Sequence, residues 1–203
     1  MQRNVNPKAF VDSISESLQP LADPARATPM RAYMKNHFNF LGIPTPQRRT
    51  AIAPLLKTLK DQPANVLIAI ARELWAKPER EFQYAALDLL TRHWRTLDAR
   101  NLPALLALAK DKSWWDSVDN LGTAVVSPLT VRYNLLPLMN KWNKSDNIWL
   151  VRAAIQHQRG RGTKLMFRCY SNIATIMPMN LYFGSPNRLD GRCEISLNLF
   201  APR

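Results

Sequence analysis

Long apolar runs are absent from this chain. No stretch approaches the roughly 18 residues that a membrane-spanning helix needs. The opening residues, "MQRNVNPKAFVDSISESLQPL", have no apolar segment of the secretory kind, so a cytoplasmic protein is the expectation. Cysteine is scarce, with only Cys169 and Cys193. That excludes a disulfide framework, and a bridge between the two is not expected in a reducing compartment. The three histidines, His37, His93 and His157, lie far apart and have no ligand spacing to cysteines or acids. No metal site is therefore expected. Glycine is scarce too, at six residues. None forms a phosphate-binding loop, a dinucleotide fingerprint or a nucleophile elbow. An enzyme made from this chain has to work with carboxylates, aromatics and arginines, without a cofactor.

Acidic residues are the next shortage. Fifteen Asp and Glu stand against 28 Lys and Arg, a formal net charge of +13. Such an excess favours a polyanionic partner, of which nucleic acid is the commonest. Membrane surfaces and acidic proteins stay open on charge alone. The 203 residues suit one domain or one compact repeat array with material for a core.

From Pro7 to about Gln158 the text reads as helix after helix, broken by turn residues roughly every 12 to 18 positions, with no alternating strand. "PKAFVDSISESLQPLA" places Phe10, Ile14 and Leu18 at i, i+4, i+8. "TPMRAYMKNHFNFLGIPTP" predicts a helix to about Phe40, ended by Gly42 and Pro44, with Thr45 and Pro46 opening the next. Pro54 is expected to kink or split that segment. In "EREFQYAALDLLTRHW", Phe82, Ala86, Leu89 and Leu90 share a face, while Glu79, Arg80 and Glu81 read as an ordinary solvated face. Short amphipathic helices with short links predict an all-α solenoid of stacked helix pairs, whose concave face would suit a rod-shaped ligand such as duplex DNA.

Residues 159–203 differ. They hold both cysteines and four of the six glycines, and the helical periodicity is lost. A tail this short is not expected to carry its own core or to be well ordered.

The stretch "KDKSWWDSVDN" is the candidate site. Ser113 followed by Asp116 resembles a capping box and predicts a helix from Trp114. Trp114, Val118, Leu121 and Val125 then form a buried stripe at i, i+4, i+7, i+11. Trp115 and Asp119 pair on a neighbouring face. Two readings of that pair stay open: an aromatic wall beside a working carboxylate, or a partly buried Asp bonded to a nearby Arg. In "SDNIWLVRAAIQ", Asp146 or Asn147 can cap, Trp149 packs, and Arg152 is either a partner for the site or a solvated helix arginine.

"RAYMKNHFNFLGIPTPQRR", "ELWAKPEREFQYAALDLL", "DKSWWDSVDNL" and "DNIWLVRAAIQHQ", in this order, resemble the AlkD-type DNA alkylation repair glycosylases, which are built from HEAT-like helical repeats. The likeness covers roughly residues 5–158. It implies a HEAT-like solenoid with a concave basic DNA-binding face. It further implies hydrolysis of the N-glycosidic bond of cationic N3- or N7-alkylated purines in duplex DNA, without base flipping, leaving an abasic site. By motif it makes Asp119 the catalytic carboxylate, Trp115 one aromatic wall, Arg152 the nearby cation touching a backbone phosphate, and Tyr33 a residue near the DNA. Alkylated double-stranded DNA is the implied partner, and a monomer without cofactor, metal or membrane is expected. The competing readings are a catalytically impaired or non-catalytic DNA-binding module and, disfavoured by the charge, a protein-binding scaffold.

The family's next repeat carries a second tryptophan in a segment like "FFIRKAIGWALR", and residues 159–203 contain no such text. The chain is also shorter than is usual in the family. Read in a shifted frame, "GRCEISLNLF" can return "ALRDIAKSF", and "MNLYFGS" can return "EFIFRK". A frameshift after about Gln158 would account for the tail. Sequencing the gene across this region is expected to show codons that spell those strings in one alternative frame; codons that cannot do so end the idea.

Overall fold

The computed structural model describes residues 5–159. Its helices are α1 (Pro7–Leu18), α2 (Pro24–Tyr33), α3 (Thr45–Lys57), α4 (Ala64–Ala76), α5 (Arg80–Arg92), α6 (Leu102–Lys110), α7 (Trp115–Asn120), α8 (Ser127–Tyr133), α9 (Leu136–Trp142) and α10 (Ile148–Gln156). A π-helical turn, Leu121–Val126, joins α7 to α8. The protein has an all-α helical repeat fold, with no strand among the described residues.

Local chemistry sets the helix starts. Asn6 caps α1 by accepting from the Lys8 and Ala9 amides at 3.0 and 3.3 Å, with Pro7 in the first turn. Asp23 does the same for α2, and Asn147, rather than Asp146, for α10. The apolar faces then close on one another. α1 packs on α3 and α4, and α5 packs on both of those. α10 packs on α6, α7, α9 and the π turn. Ile14, Leu67, Ile70, Leu74, Leu89 and Val125 have no exposed surface and sit in one continuous core.

The structure changes two expectations about segment ends. The helix expected to reach Phe40 stops at Tyr33, because Lys35 (φ 55°) and Asn36 (φ 60°) turn the chain left-handed. Pro54 does not split α3, which runs through it as one helix. It removes one backbone hydrogen bond, while buried Ile52 and Leu56 hold the segments on either side of it in the core.

The early stop of α2 releases residues 37–43 to run past the start of α5, and there a third expectation fails. Arg80 and Glu81 are not on a solvated face; both are completely buried. The Glu81 carboxylate accepts from the Leu41, Gly42 and Ile43 amides at 3.0, 2.9 and 3.1 Å, fixing the extended segment. Gly42 has φ +86°, and a Cβ there would lie 2.0 Å from the Asp23 carbonyl oxygen. No other residue fits that approach.

Arg80 ties this corner to α7. Its Nη2 and Nε donate to the two Asp116 oxygens at 2.7 and 3.0 Å, and Nη2 also donates to Ser117 Oγ at 2.8 Å. Nη1 donates to the Lys112 carbonyl at 2.9 Å, and the guanidinium lies 3.8 Å from the Phe38 ring centre. Tyr84 adds a donor, its hydroxyl giving a 2.6 Å bond to Asp116 Oδ2. Burial, reinforced by the neighbouring Asp116 charge, pushes the Tyr84 phenol far above its ordinary value.

Gly42→Ala is expected to destabilise the protein by roughly 2–4 kcal/mol, read as a lower denaturant midpoint, since the new methyl meets backbone on a left-handed residue. Tyr84 gives a pH signature. Its phenol stays protonated in the folded protein at a pH where the unfolded chain's phenol ionises, near 10. The stabilisation is therefore complete below about pH 10 and is lost as pH rises beyond it. Tyr84→Phe is expected to flatten the alkaline fall in stability, measured by denaturant titration between pH 8 and about 11.

Candidate active site

α7 carries the candidate residues, but it does not start as the capping box implies. Trp114 is the extended N-cap residue (φ −158°, ψ 163°) and the helix begins at Trp115. Ser113 Oγ donates to the Ala109 carbonyl at 2.8 Å instead of capping, and Asp116 is held by Arg80 and Tyr84. The cause is tertiary: a buried guanidinium competes for the Asp116 carboxylate, and a charge-assisted bidentate pair outweighs a cap.

Trp114 consequently leaves the expected stripe. Val118, Leu121 and Val125 are buried as the periodicity requires. Trp114 is only partly buried, with its ring 4.3 Å from His37 and 5.8 Å from Trp149. It packs on a small satellite cluster of Ala27, Met34 and Phe40 rather than on the main core.

Trp115 faces an open cavity of about 810 Å³ whose walls include Tyr33, Arg48, Tyr84, Asp116 and Asn120. Tyr33, 70% exposed, meets the Trp115 ring edge-on at 5.9 Å between centres. These two sequence-derived candidates are therefore brought together. The other two are also brought together, outside the residues lining that cavity. Arg152 Nη2 donates to Asp119 Oδ2 at 2.7 Å, and Nε donates to Oδ1. Arg152 is 5% exposed, so it is not a solvated helix arginine. Of the two readings of Asp119, the arginine-bound carboxylate is the one observed, and it lies one helical turn from Trp115.

The backbone after Asp119 changes pitch. Leu121–Val126 forms the π turn, and Gly122 lets α10 come close; a Cβ there would lie 3.1 Å from the Gln156 Cβ. This approach delivers Arg152 to Asp119. Reading the sequence alone missed the π turn, Arg80, Tyr84, Arg48 and Asp116. The available signal was weak: an Asp directly after two tryptophans, and an Arg–Glu pair opening an apolar helix. Among the described residues no group of three or more His, Cys, Asp or Glu could hold a metal ion. No helix among them is long and apolar enough to cross a membrane. The expected second tryptophan segment and the ordering of the tail lie outside the described residues.

Comparison with known proteins agrees with this architecture. The profile of the family described as DNA alkylation repair enzyme matches residues 14–179. That match continues past Gln158, where the likeness by motif was placed to end. A solved structure described as a predicted DNA alkylation repair enzyme from Enterococcus faecalis superimposes with a TM-score of 0.68 at 28% identity, covering 78% of this chain and 76% of that one. No curated protein matches. With the family profile spanning most of the helical array and the site residues of α7 and α10 inside it, the chain belongs to the DNA alkylation repair enzyme family.

Proposed function

We propose that the protein is a monofunctional DNA glycosylase. It hydrolyses the N-glycosidic bond of cationic purines alkylated at N3 or N7 in duplex DNA, without flipping the base, and leaves an intact abasic site. The observation that carries this reading is the pairing of an accessible Trp115, edge-on to Tyr33, with an Asp119 carboxylate one helical turn away whose orientation Arg152 holds.

The chemistry suits these groups. A cationic base leaves with the electron pair of the C1′–N bond and becomes neutral. Positive charge builds on the sugar, as in glycoside hydrolysis. A carboxylate already oriented, with no reorganisation left to make, stabilises that charge. Water adds its oxygen to C1′ and gives up a proton, for which a carboxylate oxygen is an acceptor. Each carboxylate oxygen accepts about two hydrogen bonds. Arg152 therefore leaves acceptor sites on Asp119 for that water. The Trp115 face attracts the cationic sugar by roughly 0.5–2 kcal/mol. The +13 charge supports a polyanionic partner.

A second reading, a non-catalytic DNA-binding module, draws on the same ion pair, since Arg152 engages both Asp119 oxygens. One assay separates the two: release of 7-methylguanine and 3-methyladenine from alkylated duplex DNA under single-turnover conditions. Asp119→Asn is expected to slow release about 100-fold or more while DNA affinity is kept. Release indifferent to the substitution removes Asp119 from its role. No release from the unmodified protein, with salt-sensitive DNA binding retained, selects the module.

A further inference from the structure

The helix that carries Trp115 and Asp119 does not stop at Asn120. It continues through the π turn Leu121–Val126 into α8, and the Ser127 amide donates to the Gly122 carbonyl, five residues back. Pro128, in the first turn of α8, gives a reason for the wide turn. It has no N–H, and its ring crowds the carbonyl four residues earlier, so a regular α turn is disfavoured there. Single π turns inside α-helices are rare and collect at functional sites. This one begins two residues after Asp119.

Two neighbouring residues of the turn act on opposite ends of the Asp119–Arg152 pair. Thr123 Oγ1 donates to the Asp119 carbonyl at 2.7 Å and also reaches the Asn120 carbonyl at 3.3 Å. A threonine bonded back in this way competes with the backbone ladder and bends a helix. The acceptor belongs to the same residue whose carboxylate Arg152 grips. Gly122 acts on the other partner. A Cβ on it would lie 3.1 Å from the Gln156 Cβ and 3.3 Å from the Ala153 carbonyl oxygen, and Ala153 directly follows Arg152 on α10. The missing side chain of Gly122 thus sets how near α10 lies, and the Thr123 hydroxyl sets how the Asp119 backbone is turned. A guanidinium is a planar fork that meets both carboxylate oxygens at once, so a shift of either partner misaligns both bonds.

We propose that Thr123, with Gly122, is a positioning residue for Asp119: the π turn they shape sets the alignment in which Arg152 holds the carboxylate. The inference rests on the glycosylase reading, in which that alignment decides which acceptor sites are left for the sugar and the water. Thr123 has no part in the chemistry itself. It acts through the Asp119 backbone, and Gly122 acts through the approach of α10.

The test compares Thr123→Val, which keeps the shape and removes the hydroxyl, with Thr123→Ser, which keeps the hydroxyl. Two quantities are measured on the full chain. The first is single-turnover release of 7-methylguanine from alkylated duplex DNA, set against duplex affinity. Thr123→Val is expected to slow release about 10-fold with the affinity unchanged. Thr123→Ser is expected to stay within about twofold of the unmodified rate. The second needs no activity. It is the coupling between Asp119→Ala and Arg152→Ala in a double-mutant cycle, read by denaturant unfolding. In the Thr123→Val background this coupling, expressed as an equilibrium constant, is expected to fall by about threefold or more. An unchanged coupling, an unchanged rate, or a loss that Thr123→Ser shares equally each overturns the proposal. Where the unmodified protein releases no base, the coupling decides alone: a reduced coupling keeps the positioning and rejects the glycosylase, and an unchanged one overturns both.

Discussion

The guanidinium of Arg80 has no solvent exposure, yet it donates four hydrogen bonds to three different groups. A charge so placed is tolerable only if every donor finds an acceptor in one geometry. That demand organises the corner of the molecule where the site lies. Asp116 and Ser117 must sit on the first turn of α7, the Lys112 carbonyl must turn inward, and Phe38 must cover the guanidinium face. Replacing such a pair by apolar side chains need not destabilise a protein, but losing one partner costs about 3–5 kcal/mol. Its contribution here is a single position for α7 rather than bulk stability.

α7 is thereby held at two points. Arg80 and Tyr84 hold Asp116 at its start, and Arg152 holds Asp119 one turn later. Between them Trp115 is left at a cavity wall. For the glycosylase proposed above, a carboxylate that stabilises developing charge needs its orientation settled beforehand. Two arginines from α5 and α10 provide this, and the π turn with Gly122 brings α10 near enough to reach. The arginines of α3 have a different character. They share one carboxylate, Asp88, between a buried and an exposed guanidinium.

Much of the fold was legible because it follows from local periodicity. Phe10, Ile14 and Leu18, or Leu89 and Leu90, are buried where an amphipathic helix puts them. Val118, Leu121 and Val125 likewise kept to their stripe. The errors at the site have tertiary causes. Glu79, Arg80 and Glu81 have the composition of a solvated face, and nothing local says that the backbone amides of residues 41–43 and the Asp116 carboxylate will arrive to pair the last two. Trp114 has the right spacing for the α7 stripe, but an N-cap residue is not helical, so the spacing does not apply to it. Pairing between residues about 36 apart along the chain leaves no periodic trace.

The sequence by itself determined the class of this protein: an all-α array, strongly basic, with a tryptophan and an aspartate at i, i+4 in a motif shared with a DNA alkylation repair family. Those properties depend on composition and on spacing within single helices, so they survive without coordinates. The tertiary structure decided which charge pairs with which. Asp116 is committed to Arg80, Asp119 is steadied by Arg152, and Arg48 keeps a donor with no partner among the described residues. These outcomes turn on which side chains desolvate together. That is set by the packing of distant helices, where the cost of burying a charge admits one arrangement and excludes the alternatives that the same letters allow.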